Sequence, residues 1–425
     1  MKNAKSHTKD LIIFSNGPGE ITTWVLPVVE AVRQRDDLSS KFRIILIIQP
    51  CPFGSGSEGA VAAGFEGVDT VIMPNEYLKI LFTGFGKRKH RFSREGLIFS
   101  LGGDLMHPVL FRKRIRGDHA LYAYTKNPGW GKHYEKIFVR NDYVKNKMLD
   151  NGILSGKLSV VGDLVYSSLK YSRTKEEVRK EVSLKNDEKM VAFLAGSRGF
   201  EVWYMMPIFL KVISDLTRQI KGIRPFFLKS PYISYDYIEK AVRNGGRIKV
   251  VESLPGELKR SGDGFFPYIE FGEGKKVFIL EKSLEYWGHG VDFAVTIPGT
   301  NTIQLAYRKI PSLVVAPLNK PELYPVEGIF GLLKWVPFLG KLILKKVVFR
   351  YLRKFPYASL PNMYANEEIF PELFKEIRTD EITEKIVEIF QNGTDEKIAG
   401  KLDMFKPDSD PVDLIIREIF KKDPV

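Results

Sequence analysis

Two glycine-rich turns in the N-terminal half of the chain place a carboxylate beside flexible backbone. The first is SNGPGE at 15–20, where Gly17 and Gly19 let a ligand approach the backbone closely and Glu20 supplies a carboxylate. A helix follows this turn, and because the backbone N–H groups at a helix N-terminus attract negative charge, the turn is also a candidate anion site. The second is LGGD at 101–104, which places Asp104 just after an apolar run. Asp104 either accepts a proton from a substrate hydroxyl or caps the following helix.

Two turns in the C-terminal half suit a diphosphate. In LAGSRGFE at 194–201, an arginine offers a planar fork of donors that matches phosphate oxygens. In TIPGTNTIQ at 296–304, a helix N-terminus offers backbone N–H groups, and a glutamine one turn later can reach a ribose hydroxyl. The alternatives are a surface arginine and an ordinary capped helix. The candidate donor-binding residues are Ser197, Arg198, Gly299, Thr300, Asn301 and Gln304.

Signals for a metal or a dinucleotide cofactor are weak. GSGSEG at 54–59 fits G-x-G-x-x-G, but it lies in the second strand–helix unit and lacks a convincing acidic partner. DSD at 408–410 resembles a metal-binding DxD, yet it sits in a proline-flanked tail. The six histidines show no ligand spacing, and Cys51 is the single cysteine. The sequence therefore predicts neither a metal nor a cofactor.

Apolar runs alternate with helical stretches along the chain, which predicts doubly wound parallel sheets. The alternation pauses at the charged stretch 171–187 and then restarts, so 425 residues divide into two Rossmann-like domains. We place the N-terminal Rossmann-like domain at 1–175 and the C-terminal Rossmann-like domain at 188–395. Residues 396–425 are expected to form a C-terminal helix that packs back on the first domain.

The net charge of +14 is concentrated in apolar surroundings rather than on a polar face. Residues 329–355 hold seven Lys/Arg and no acid, and KRKHR at 87–91 follows another apolar run. This pattern favours an anionic membrane surface over nucleic acid, for which no reading motif is present. The alternative is a helix whose apolar face is core. The candidate membrane-contact residues are Trp335, Phe338, Lys341, Lys345, Lys346 and Arg350.

Seven segments, in order from about residue 15 to 373, resemble the lipid-A-disaccharide synthase family, glycosyltransferase family 19. FLAGSRGFE is similar to the family's LLPGSRxxE, and SLPNMYANEEIFPEL to its SLPNLLAxxxxVPEL. The others are SNGPGE, GSGSEGAVAAGFEG, LGGD, VVGDLVYSSL and IPGTNTIQLAYRKIPSLVV. Pro298 and Gln304 replace the serine and glutamate of the family's SGT segment, so a relative with another acceptor or donor is equally plausible.

The resemblance implies a GT-B fold, with two domains facing a cleft, and a metal-independent, inverting transfer. A sugar of the GlcNAc or acyl-glucosamine type would pass from a UDP-sugar to a lipid or lipid-linked acceptor at the cytoplasmic membrane face. Asp104 or Glu20 would be the base, and Gly17, Gly19 and Asn362 would contact the acceptor or its phosphate. A homodimer with crossed C-terminal segments is also implied. The alternatives are a UDP-sugar epimerase and a non-catalytic sugar-nucleotide or lipid-binding protein.

Overall fold

The chain folds as two compact units. The computed structural model describes residues 8–51, 56–84, 90–169, 173–245, 251–260, 266–282, 284–319 and 357–420. Unit 1 comprises residues 1–168 and 407–425, and unit 2 comprises 169–406. The chain passes from unit 1 to unit 2 after residue 168 and returns to unit 1 after residue 406, whereas the expected boundaries were 175 and 395. Residues 396–406 therefore belong to unit 2 rather than to the C-terminal segment.

The described residues of unit 1 contain a seven-stranded parallel sheet in the order β3-β2-β1-β4-β5-β6-β7. Leu11 to Phe14 of β1 are at most 1% exposed, because helices cover both faces of the sheet. The strands are β1 (Lys9–Ser15), β2 (Phe42–Ile48), β3 (Thr70–Ile72), β4 (Glu95–Leu101), β5 (Asp118–Tyr124), β6 (Lys136–Val139) and β7 (Leu158–Val160).

The first seven helices of unit 1 lie between these strands along the chain, and the last two follow β7. They are α1 (Pro18–Glu20), α2 (Leu26–Arg33), α3 (Asp36–Lys41), α4 (Glu58–Ala63), α5 (Pro74–Thr83), α6 (Met106–Ile115), α7 (Asp142–Asp150), α8 (Leu164–Ser167) and the C-terminal α17 (Pro411–Phe420). Helix α17 shares a core with α2, to which it contributes Ile415, Ile416 and Ile419. The C-terminal helix is therefore part of the core of unit 1.

The described residues of unit 2 contain an eight-stranded sheet in the order β10-β11-β12-β9-β8-β13-β14-β15. The sequence predicted that all strands of this sheet are parallel. The six strands from β12 to β15 in this order are parallel to one another. The β10–β11 hairpin is antiparallel, and it was missed because its short strands carry charged residues such as Glu257 and Glu270. The strands are β8 (Lys189–Leu194), β9 (Ile223–Leu228), β10 (Gly256–Lys259), β11 (Tyr268–Phe271), β12 (Lys275–Leu280), β13 (Phe293–Thr296), β14 (Ser312–Val315) and β15 (Glu372–Leu373).

The longest helix of unit 2, α10, lies against the sheet and follows directly from the GSR turn. It buries eleven residues, six of them consecutive at 205–210, so the core surrounds this part of the helix on all sides. The helices are α9 (Lys175–Glu181), α10 (Gly199–Gln219), α11 (Tyr235–Asn244), α12 (Leu284–Trp287), α13 (Thr300–Tyr307), α14 (Leu360–Ala365), α15 (Thr379–Gln391) and α16 (Thr394–Lys401). Among these described elements, no helix is long and apolar enough to cross a bilayer.

Candidate functional site

The first cluster lies at the carboxyl ends of three adjacent strands of unit 1. Strand β1 pairs with β2 on one side and with β4 on the other, in parallel register. The turns that follow the three strands are therefore neighbours at one edge of the sheet, the edge where open α/β sheets bind ligands. This arrangement brings SNGPGE and LGGD together, two motifs that lie about eighty residues apart in the sequence.

Two consecutive glycines make this approach possible. Gly102 and Gly103 have φ of 89° and 72°, a backbone region that side chains with a Cβ rarely adopt. A Cβ on Gly102 would lie 2.3 Å from the Glu20 carboxylate, and one on Gly103 would lie 2.3 Å from Gln49 Oε1. The Gly102–Gly103 loop is thus clasped between Glu20 and Gln49.

The carboxylate of Glu20 occupies the N-terminal turn that was expected to bind phosphate. Its Oε2 accepts the N–H of Gly17 at 3.2 Å. The helix also lasts only three residues before it becomes a π-helix over Ile21–Val25. A short helix whose first amide already donates to a carboxylate is a poor anion site, so the phosphate role predicted for Gly17 and Gly19 is not favoured by this geometry. A π-helical turn is nevertheless a frequent mark of functional sites.

Asp104 is exposed at the end of this loop. Its Oδ1 accepts the Met106 N–H at 2.8 Å, and its own N–H donates to Gln49 Oε1 at 3.0 Å. Asp104 therefore forms the local turn that was the alternative to a role as a base. The same two hydrogen bonds hold its exposed carboxylate in one orientation. The capping role and the role of a base are compatible.

His107 and Tyr77 lie beside Asp104 and were missed by the sequence analysis. Tyr77 is fully buried, and its hydroxyl is 2.7 Å from His107 Nδ1. Burial, with a smaller contribution from Asp104, raises the pKa of Tyr77, so the phenol stays protonated beside the His107 ring. Burial lowers the pKa of His107, while the charge of Asp104 opposes this shift. The sequence contained one indication of this pair, because His107 follows Asp104 by only three residues.

The second cluster lies in unit 2, at the turn between β8 and α10. The Glu201 carboxylate accepts the N–H of Ser197 at 2.9 Å and the N–H of Arg198 at 3.0 Å. The Arg198 guanidinium donates to the same carboxylate at 3.0 Å. Gly196 has φ of 107°, and a Cβ there would lie 2.3 Å from Glu201 Oε2. The two amides are thus satisfied by Glu201, as the Gly17 amide is by Glu20, and the Arg198 side chain, which is 33% exposed, is the group of this turn that can reach a phosphate.

The turn between β13 and α13 is a third candidate. Gly299 has φ of 157°, and no side chain caps the helix that begins at Thr300. Asn301 donates through its amide to Thr296, and Thr302 donates to the Gly299 carbonyl at 2.8 Å. The capping role that was the alternative for Thr300 and Asn301 is therefore not adopted.

Gln304 lies one turn into α13, where it is half-buried. Its Nε2 is 3.4 Å from Glu285 Oε1. Glu285 therefore brings a carboxylate to the position where Gln304 replaces the glutamate of the resembled family. The pair offers both a donor and an acceptor, the combination that suits vicinal ribose hydroxyls.

Asn362 has a structural role, which corrects its expected contact with the acceptor. It is 0% exposed, its Oδ1 accepts the N–H groups of Ile369 and Phe370, and its Nδ2 donates to the Phe370 carbonyl and to Glu372. Glu372 also accepts both donors of Ser359. The SLPN…PEL segment thus closes on itself, and all donors and acceptors of the Asn362 amide are used.

Replacement of Asn362 with alanine is expected to lower the free energy of unfolding by about 3 kcal/mol, since several buried partners lose their hydrogen bonds at once. Urea unfolding followed by circular dichroism measures the change. Asn392→Ala, at the C-terminal end of α15, is the control and should alter stability little. An equal effect of the two substitutions would contradict the structural role.

Several sequence-based candidates fall outside the described residues. Trp335, Phe338, Lys341, Lys345, Lys346 and Arg350 lie in 320–356, and most of KRKHR lies in 85–89. In DSD, Asp410 Oδ1 accepts the Val412 N–H at 2.9 Å and so caps α17. Within the described part of the chain, no group of three or more His, Cys, Asp or Glu could hold a metal ion.

Comparison with a family model finds sequence similarity in the region that includes the GSR turn. The family model described as lipid-A-disaccharide synthetase matches residues 157–252. A lipid-A-disaccharide synthase of Psychromonas ingrahamii is 25% identical over 215 residues, which cover 50% of this chain and 43% of the relative. Lipid-A-disaccharide synthase 2 of Legionella pneumophila strain Paris is 22% identical over 233 residues, 52% and 45% of the two chains. The chain thus matches less than half the length of these relatives.

Solved structures resemble the fold over almost the whole chain. A crystal structure of UDP-N-acetylglucosamine 2-epimerase has a TM-score of 0.55 at 12% identity and covers 97% of this chain and 95% of its own. UDP-GlcNAc 2-epimerase from Neisseria meningitidis, bound to UDP-GlcNAc, has a TM-score of 0.52 at 13% identity and covers 97% and 100%. With the two parallel-sheet units, this confirms the predicted GT-B fold class of two Rossmann-like domains.

Proposed function

We propose that this chain, a divergent relative of the lipid-A-disaccharide synthases, is a glycosyltransferase that uses a UDP-sugar donor and a lipid or lipid-linked acceptor. The observation that carries the proposal is the Ser197–Arg198 turn. It lies within the region of family similarity, and it presents the Arg198 guanidinium, which is 33% exposed and is oriented by Glu201. The sugar we propose is of the GlcNAc or acyl-glucosamine type.

On the donor side, the diphosphate would be held by the Arg198 guanidinium and by the N-terminal amides of α13, at Thr300 and Asn301. The carboxylate of Glu201 occupies the amides of the turn, and its part in this proposal is to orient Arg198. As the bond from the sugar C1 to the phosphate oxygen breaks, its electron pair leaves on UDP. Donors fixed in advance around that growing charge lower the barrier.

On the acceptor side, Asp104 is the base we favour, with Glu20 as the other candidate. The acceptor hydroxyl would transfer its proton to Asp104 while its oxygen attacks C1 from the face opposite the leaving UDP, which inverts the configuration. Asp104 is exposed, whereas Glu20 is half-buried and already accepts the Gly17 N–H. No metal or other cofactor takes part in this scheme.

An epimerase acting on a UDP-sugar is the second candidate, since the structural neighbours with TM-scores above 0.5 are UDP-GlcNAc 2-epimerases. A non-catalytic sugar-nucleotide or lipid-binding protein is the third. Calorimetry with UDP and UDP-GlcNAc, followed by a UDP-release assay with and without lipid extract, separates them. UDP release that depends on lipid supports the transferase. Isomerised sugar nucleotide without lipid would support the epimerase, and binding without turnover would support the binding protein.

Contact with the cytoplasmic face of a membrane is a proposal that rests on the sequence of residues 329–355, where seven cations interrupt an apolar run. Electrostatic attachment must weaken as salt screens the charges. We expect the protein to sediment with vesicles that contain anionic phosphatidylglycerol, and to do so less at 0.5 M salt than at about 0.05 M, where the screening length is several times greater. Equal sedimentation with neutral phosphatidylcholine vesicles would contradict this proposal.

A further inference from the structure

His107 is a titratable residue of the first cluster that has no part in the transfer described above. It lies in the first turn of α6, three residues after Asp104, and its backbone N–H donates to the Asp104 carbonyl at 3.3 Å. This turn places the imidazole beside the Asp104 carboxylate at the carboxyl edge of the sheet, where open α/β sheets bind ligands.

The His107 ring is anchored on one side and accessible on the other. Its Nδ1 lies 2.7 Å from the hydroxyl of Tyr77, which is 0% exposed, and the two rings meet edge to face at 5.4 Å. The other ring nitrogen, Nε2, makes no hydrogen bond with any residue that the structure describes, and it is not fully buried. The contact with Tyr77 thus fixes the imidazole and leaves Nε2 available to a ligand.

Two other histidines of unit 1 lack this combination. His119 on β5 is 1% exposed, so neither of its ring nitrogens is accessible. His133 is exposed, and its ring packs on the equally exposed Trp130, with the ring centroids 5.6 Å apart. Of these three histidines, His107 is the one that joins an anchored nitrogen to an accessible one.

The surroundings of His107 also set its charge. Burial lowers the pKa of His107 below its ordinary value of 6.5, and the negative charge of Asp104 opposes this shift. Among the described residues, Asp104 is the charged group that acts on the ring, and the Tyr77 phenol on α5 is the titratable group in contact with it. The imidazole is therefore neutral at neutral pH. A proton on it would stabilise the Asp104 carboxylate and make Asp104 a weaker base.

We propose that neutral His107 hydrogen-bonds a hydroxyl group of the acceptor through Nε2, and that protonation of the ring stops the transfer. Tyr77 is the positioning residue that holds the ring through Nδ1. This role rests on the proposed function, because it places His107 next to the hydroxyl that Asp104 would deprotonate. A neutral imidazole offers either a donor or an acceptor at Nε2, and a hydroxyl group can satisfy both.

Chemical modification of the wild-type protein tests this contact without turnover. Diethyl pyrocarbonate acylates accessible, neutral imidazole nitrogens, and mass spectrometry of peptides locates the label. We expect His107 and His133 to be labelled and His119 to stay unlabelled. Lipid extract should abolish the labelling of His107 and leave that of His133 unchanged. Phosphatidylcholine, whose headgroup carries no hydroxyl, and UDP alone should protect neither histidine.

The pH dependence of kcat/KM for UDP release, with lipid extract as the acceptor, tests the effect of the charge. The wild type should lose activity as the pH falls through the pKa of His107, because the neutral ring is the active form. His107→Gln cannot titrate, so this loss should be absent from its profile. At neutral pH its kcat/KM should be about tenfold lower, which corresponds to one lost hydrogen bond. His133→Gln is the matched control and should keep the rate and the pH profile of the wild type.

The outcomes separate this proposal from the function on which it rests. It is overturned if His107 is not labelled, if lipid extract does not protect it, if UDP alone protects it, or if His107→Gln keeps the rate or the acidic loss of the wild type. The labelling uses the unaltered protein, so it decides the matter even when the variant does not fold. Protection of His107 by lipid extract without any UDP release would count against the proposed function alone.

Discussion

Replacement of Arg198 with alanine is expected to lower kcat/KM for the UDP-sugar by about 10²–10³-fold, the range found when one preorganised charge-stabilising donor is removed. The guanidinium is 33% exposed and lies 3.0 Å from Glu201, so it is held in place but remains accessible to a diphosphate. Its loss would remove charge stabilisation and leave the carboxylate of Glu201 facing the phosphates. Steady-state kinetics of UDP release measures the change, and calorimetry with UDP shows whether ground-state binding falls too.

The controls for this prediction lie on the same helix. Arg218 is at the other end of α10 and also pairs with an acid, Asp215 at 3.8 Å. Arg218→Ala should leave kcat/KM within about twofold of the wild type, since exposed ion pairs contribute little. Arg198→Lys should recover only part of the activity, because a lysine carries the charge without the planar fork. If the Arg198→Ala variant had the kinetics of the wild type, the assignment of Arg198 to the donor site would be contradicted.

Replacement of Asp104 with asparagine is expected to lower kcat by about 10²–10⁴-fold, the contribution typical of a general base, with a small effect on KM. Asparagine retains an oxygen for the Met106 N–H, so the loop should keep its shape and the loss should report on proton transfer. Glu20→Gln should reduce kcat far less, because Glu20 acts through its contact with the glycine loop. Rates of UDP release with saturating acceptor measure both variants.

A matched control exists for the turn that Asp104 forms. Asp410 Oδ1 accepts the Val412 N–H at 2.9 Å, the same contact two residues along the chain. Asp410→Asn should therefore preserve a cap of this kind and leave kcat unchanged. If Glu20→Gln abolished turnover while Asp104→Asn did not, the assignment of the base would be reversed.

The sequence was most informative where a strand ends in a glycine turn. The apolar runs of β1, β4 and β8 predicted buried parallel strands, and the residues after them, Glu20, Asp104 and Arg198, were identified because parallel topology places such positions at one edge. The order of motifs also predicted the similarity to the lipid-A-disaccharide synthases and the two-domain fold. These inferences rest on local patterns, which a single sequence displays directly.

Features that depend on packing across strands could not be predicted in this way. Gln49 follows an apolar strand like many surface residues, and only the neighbouring β4 loop reveals its contact with Asp104. The Tyr77–His107 pair joins two helices thirty residues apart. Asn362 was expected to contact a ligand because its motif is distinctive, but the motif forms a closed hydrogen-bond network. A polar residue in a motif can equally be structural, and burial decides between the two.

The most direct test of the central claim follows the sugar itself. Wild-type protein is incubated with radiolabelled UDP-GlcNAc and lipid extract, and the organic-soluble label is compared with the UDP released. We predict equal amounts of the two, with no organic-soluble label when lipid is omitted or when Arg198→Ala replaces the wild type. UDP-GlcNAc that binds but yields neither free UDP nor labelled lipid, or that is converted to an isomer without lipid, would contradict the assignment as a glycosyltransferase.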